Sequence, residues 1–168
     1  MMLQHNKRQE PARADEKKSD FVSLHTVIPL LCRHRVGLLA TADISAVPHV
    51  VPVCFVVQEV AIYSAIDHKP KRQSGYRMKR IRNIIANPRV AFLVQHYEED
   101  WEELYYVMVR GSAAILENGA ERVQALTLLE EKYPQYRERQ LTASTGLVVK
   151  IVPETVQHWS WKQAVVSR

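Results

Sequence analysis

AIYSAIDHKPKRQSGYRMKRIRNIIANPRVAF, residues 61–92, decides how this chain is read. A short apolar run over 60–66 is a strand. It ends in a burst of positive charge, and a basic helix follows over about 76–86. Asn87-Pro88 stops that helix, because the residue before a proline is driven out of helical geometry. A new apolar run begins at Val90. Met78, Ile81 and Ile85 form the buried stripe of the helix, with Lys79, Arg80 and Arg82 off it. Eight basic residues (Lys69, Lys71, Arg72, Arg77, Lys79, Arg80, Arg82 and Arg89) stand against one acid, Asp67, a local charge of +7 in a chain that totals +5. The basicity therefore belongs to one place, and a concentrated positive field recruits an anion.

Working outward, the periodicity predicts strands at 36–42, 47–57, 60–66, 90–97, 104–116 and 146–159. Pro48 and Pro52 mark edge or bulge positions in the second. Helices are expected after Ser19, with Phe21, Leu24, Val27, Ile28 and Leu31 at helical spacing and Pro29 as a kink. Another is expected over 121–133, with Val123, Leu126 and Leu129 on its buried face. An acidic loop, EEDWEE at 98–103, joins the fourth and fifth strands. The fold class is mainly β with helices (α+β), a six-stranded antiparallel barrel decorated by helices. Residues 20–168 form one domain, and the charge-balanced stretch 1–19 reads as a disordered polar tail.

Several chemistries are excluded or unsupported. No two of the seven histidines fall at metal-pair spacing, so no metal site is assigned from sequence. The two cysteines, Cys32 and Cys54, lack C-x-x-C spacing and read as reduced core residues of a cytoplasmic protein. Nucleophile-elbow, P-loop and dinucleotide glycine motifs are missing. No apolar run approaches the roughly 20 residues that span a bilayer. Aromatic residues are sparse in the basic patch, which argues against nucleic acid as the partner. If the protein is an enzyme, a bound cofactor carries the hard chemistry, and no side chain is assigned as catalytic.

In their order, VGLLATAD (36–43), PHVVPV (48–53), AIYSAIDHKPK (61–71), NPRVAFLV (87–94) and YVMVRGSA (106–113) resemble the pyridoxamine-phosphate-oxidase-like family of split-barrel flavoproteins, including its flavin/deazaflavin oxidoreductases. The resemblance implies a homodimer of the FMN-binding split-barrel type, with cofactors in grooves between the subunits. It places the cofactor ring along Val51, Pro52 and Val53, and the cofactor phosphate at Tyr63, Ser64, Lys69, Lys71 and Arg72. Tyr106 reaches the ring from the partner. His49 and the stretch 158–161 fall near the groove by the same analogy.

The chain departs from true pyridoxamine-phosphate oxidases. It ends HWSWKQAVVSR rather than in an Arg-rich substrate segment, and PHVVPV lacks the family's arginine. The pattern is closer to the branch using coenzyme F420, and eight cations exceed what one FMN phosphate needs, which tips the cofactor from FMN toward F420. The expected function is hydride transfer between bound FMN or F420 and a small organic substrate. The alternative is a non-catalytic flavin-binding or storage protein. Haem binding through His49 or His96 is a further reading.

Overall fold

A computed structural model describes residues 21–66, 75–138 and 146–166. The stretch 1–19 and the cations Lys69, Lys71 and Arg72 lie outside them. Seven strands form one antiparallel sheet in the order β2-β1-β5-β6-β7-β4-β3. They are β1 (Gly37–Ala42), β2 (Pro48–Val53), β3 (Val56–Gln58), β4 (Ala61–Ala65), β5 (Arg89–His96), β6 (Tyr105–Leu116) and β7 (Val148–Ser160). The apolar run 47–57 is thus two strands rather than one, which corrects the expected count of six.

That division shapes the molecule. β2 and β3 are the two edges of the sheet, yet only Cys54 and Phe55 separate them. Three Cα steps span at most about 11 Å, so the sheet must curl until its edges meet. The hydroxyl of Tyr133 holds the link: it accepts from the Phe55 N–H at 3.0 Å and lies 2.8 Å from the carbonyls of both Phe55 and Arg35.

Inward side chains of the curled sheet (Leu39, Phe92, Val107, Ile151) pack with Leu24, Val27 and Leu31 of α1 (Leu24–Arg33) and with Ile81 and Ile84 of α2 (Lys79–Ala86). A second cluster lies outside β3 and β4, under α3 (Ala120–Lys132) and α4 (Pro134–Glu138), built on Tyr63, Ala125, Leu129 and Tyr136. A short α5 (Trp161–Val166) closes the described chain.

Three local expectations need correction. A 3₁₀ turn (Gly75–Arg77) and an extended Met78 precede α2. The helix therefore starts late and buries Ile84, leaving Ile85 exposed. In α3, Val123 is exposed while Leu126 and Leu129 are buried. Cys32 is exposed and Cys54 half-buried, so neither is a core residue.

Candidate cofactor site

The outward face of β2, β1, β5 and β6 is mostly apolar, and among the described residues no element packs across it. Cross-strand register aligns Pro52, Leu38, Leu93 and Met108 in one row and Val50, Ala40, Ala91 and Arg110 in the next. Gln95, Tyr106 and Trp159 form a third. Leu38, Leu93 and Met108 are half-buried and belong to neither core cluster. Over the alanines lies a cavity of about 580 Å³, bordered by Pro48, Phe21, Arg110 and the ion pair Arg89–Glu154.

At one side this face ends in the free edge of β2. Prolines sit in sheets where no ladder donor is required. Pro48 and Pro52 therefore put positions 48, 50 and 52 on the unpaired side, where three carbonyls and only the Val50 N–H are available. At its far end Tyr106 stacks on Trp159, with ring centroids 5.7 Å apart and planes 17° from parallel.

The residues singled out from sequence divide between surfaces. Pro52 and Tyr106 share the bare face. Val51 and Val53 turn their side chains into the barrel, and by the same alternation their backbone groups face β1, opposite Leu39 and Gly37, rather than the free edge. Ser64 is buried on the inward side of β4, beside Ile62 and Ile66. Tyr63 points the other way, under α3, and its hydroxyl donates to Glu121 Oε1 at 2.7 Å. Lys150 Nζ lies 2.6 Å from the same oxygen. Burial, then this carboxylate, raises the Tyr63 hydroxyl well above the ordinary phenol range. Lys150 and Tyr63 lower the Glu121 carboxyl.

The basic helix uses part of its charge internally. Lys79 Nζ binds Asp43 Oδ2 at 2.7 Å, and the buried Asn83 donates to Thr41 Oγ1 at 3.0 Å, fastening α2 to β1. Arg77 and Arg82 are exposed.

One cluster was not anticipated. Beyond Val94, Val107 and Val156 on the inward side of the sheet come His96, Tyr105 and His158, with His34 from the end of α1. His34 Nε2 is 2.9 Å from the Tyr105 hydroxyl, and His96 stacks on the same ring at 5.2 Å. The centroid of His158 is 6.4 Å from it. These residues come from four elements, so no local spacing announces them. Among the described residues, no three His, Cys, Asp or Glu side chains are placed to hold a metal.

Burial lowers both His34 and His158, and the charges of His96 and Lys132 lower His34 further. A lowered folded pKa means that the unfolded chain takes up protons first. Stability is thus full above about pH 6.5 and falls as pH drops through the folded values. Melting temperature is expected to decline from pH 7 to pH 5 (roughly the histidine range), with a shallower slope in His34→Gln. An unchanged slope in that variant would remove His34 as the source.

Comparison with known proteins supplies the family. A family model described as pyridoxamine 5'-phosphate oxidase matches residues 25–160. Among solved structures, a conserved hypothetical protein from Mycobacterium tuberculosis is 20% identical with a TM-score of 0.70, over 89% of this chain and 92% of that one. A FAD-binding protein from Mesorhizobium loti is 20% identical (TM-score 0.62, 82% and 93% covered). The heme storage protein HutZ from Vibrio cholerae is 19% identical (TM-score 0.61, 83% and 95% covered). Identities this low establish a shared fold alone. No curated protein matches the sequence. The family match runs from the first turn of α1 to the last residue of β7 and takes in all seven strands of the curled sheet, so the chain belongs to the pyridoxamine 5'-phosphate oxidase family.

Proposed function

We propose that this protein is a homodimeric oxidoreductase that binds FMN or coenzyme F420 between two copies and passes a hydride between the cofactor ring and a small organic substrate. The observation that carries this reading is the bare apolar sheet face. It is bounded on one side by the free β2 edge and at the far end by the Tyr106–Trp159 stack. Apolar faces of this extent on monomers mark interaction sites, and a planar ring fits over a floor of Ala40 and Ala91.

In this reading the polar rim of the ring meets the free edge of β2 at the Pro52 carbonyl and the Val50 N–H. Val51 and Val53 hold that strand to β1, and Tyr106 of one copy covers the ring held by the other. Lys69, Lys71 and Arg72, which follow β4 in sequence, neutralise the phosphate. Ser64 and Tyr63 bracket the strand from which that segment departs, and Glu121 fixes the Tyr63 hydroxyl. No imidazole or unpaired carboxylate stands on the bare face among the described residues. That favours chemistry in which the cofactor accepts the hydride, with the protein holding donor and acceptor at about 3–3.5 Å. When bound, the cofactor supplies the redox chemistry. The extra cations favour F420 over FMN.

The same bare face suits storage without turnover, and similar folds carry the names of a FAD-binding and a heme storage protein. Fluorescence titration with FMN and with F420 side by side is the test. Saturable binding of one cofactor is expected, and Lys71→Ala should weaken it roughly tenfold, the effect of losing one charge-assisted phosphate contact. Failure of both to bind below about 100 μM sinks the reading. Reduction or reoxidation of the bound ring by a substrate panel separates enzyme from store.

A further inference from the structure

The end of α1, β3 and the last turn of α3 enclose a cavity of about 530 Å³ that no part of the proposed cofactor site uses. That is an ordinary volume for a small-molecule site. Arg33 and Arg35 reach it from the end of α1 and the link to β1, and Lys132 from α3. Val56, Val57 and Leu128 give it an apolar wall. Three cations thus face one lining carboxylate, Glu131.

Two of the cations, Arg35 and Lys132, are held in place. The Arg35 Nη2 donates to the carbonyl of Lys132 at 2.7 Å, and its guanidinium lies 4.8 Å from the Tyr133 ring centroid. Lys132 Nζ sits 4.2 Å from the centroid of the Phe55 ring. The remaining lysines among the described residues, Lys79, Lys150 and Lys162, each bind a carboxylate. Lys132 binds none, and neither do Arg33 and Arg35 among the described residues.

Removing an ammonium from water without a counter-charge costs free energy. Burial, and to a lesser degree the nearby Arg35, accordingly lowers the Lys132 pKa, while Cys32 and Cys54 oppose the shift. A half-buried ammonium beside two guanidinium groups in a concave site makes a receptor for negative charge.

We propose that this cavity binds a small organic oxyanion, a phosphate ester or a carboxylate. Its oxygens bind the Lys132 ammonium and the forks of Arg33 and Arg35, and its body rests on Val56, Val57 and Leu128. Guanidinium forks match both oxyanions bidentately. The inference stands apart from the cofactor reading, because none of these side chains lies on the bare face or in the basic segment.

Calorimetric titration of the full chain with phenyl phosphate, benzoate and the neutral benzyl alcohol tests it. One-to-one binding of at least one anion is expected, weaker by roughly tenfold or more in Lys132→Met and in Arg33→Gln. Benzyl alcohol should not saturate. Phenyl phosphate binding alone assigns a phosphate ester, and benzoate alone assigns a carboxylate.

Arg33 is exposed, so its variant should fold even if Lys132→Met does not, and Lys132→Arg should restore binding. A triple change, Lys69→Ala with Lys71→Ala and Arg72→Ala, removes the proposed cofactor anchor and should leave this binding intact. The proposal fails if neither anion saturates by about 10 mM. It also fails if binding survives the Arg33 and Lys132 variants together, or is lost in the triple variant. In that last case the anion is reporting the cofactor anchor instead.

Discussion

Gly111→Ala is expected to cost roughly 3 kcal/mol of stability, the upper end of what overpacking costs. At about 2–4 °C per kcal/mol for a chain of this size, the melting temperature should fall by roughly 6–12 °C. A Cβ at Gly111 would lie 2.0 Å from the carbonyl oxygen of Val152 and 3.1 Å from the Glu154 nitrogen. Both are backbone atoms of the neighbouring strand, so no rotamer change relieves the clash. β6 is also paired on its other side to β5, which stops it from retreating.

The close approach has a cause. The β6–β7 register shifts between Arg110 and Gly111, so that Gly111 faces Pro153 while Arg110 faces Thr155. Pro153 has no N–H to offer the ladder, and the chain bulges at that point. Gly119→Ala is the control: its φ of 93° is strained for alanine, but nothing lies within 4 Å. It should cost only about 1 kcal/mol. Thermal and urea melts check both, and a Gly111→Ala protein that melts with the wild type would show that β7 moves freely.

Phe55→Ala should cost about 3–5 kcal/mol, the usual range for emptying a large aromatic site. Phe55 is fully buried, packs edge-to-face on Phe92 at 4.8 Å and carries Lys132 over its ring. It is also one of the two residues that join opposite edges of the sheet. Losing its ring loosens the inner cluster and the closure together. Phe55→Leu, which keeps most of the volume, should cost about 1–2 kcal/mol. Urea unfolding of the pair measures this, and equal losses for leucine and alanine would mean that the ring's size is not what matters.

The same residue shows why part of the fold was hidden in the sequence. The run 47–57 is apolar apart from His49 and contains no Gly, Asn or Asp at its break. The strand ends at Val53 because a tyrosine hydroxyl 78 residues away binds Phe55, which is tertiary information. Strand positions elsewhere, carried by alternation and β-branched residues, were legible to within one or two residues, and the Asn-Pro stop of α2 held. The phase of α2 was not, because Ile84 and Ile85 both flank the face of Ile81 on a 3.6-residue helix and only the packing decides which of them is buried. Tyr105 and Tyr106 are neighbours in sequence, but alternation sends one into the histidine cluster and the other onto the bare face. The resemblance pointed to Tyr106, and nothing local distinguished Tyr105. Cys32 lies off the α1 stripe of Leu24, Val27 and Leu31, which is why an apolar neighbourhood did not bury it.

The prolines of β2 have a consequence for behaviour at high concentration. An unpaired strand of mostly apolar residues is ordinarily a template onto which another molecule can add its own strand, extending the sheet without limit. Here the exposed side offers a lone donor, at Val50, so an incoming strand meets acceptors where it needs N–H groups. Strand addition at the β2 edge is therefore disfavoured, while the side chains of the neighbouring face stay available for contact. At this edge the chain keeps an apolar surface without also offering a template for an endless sheet.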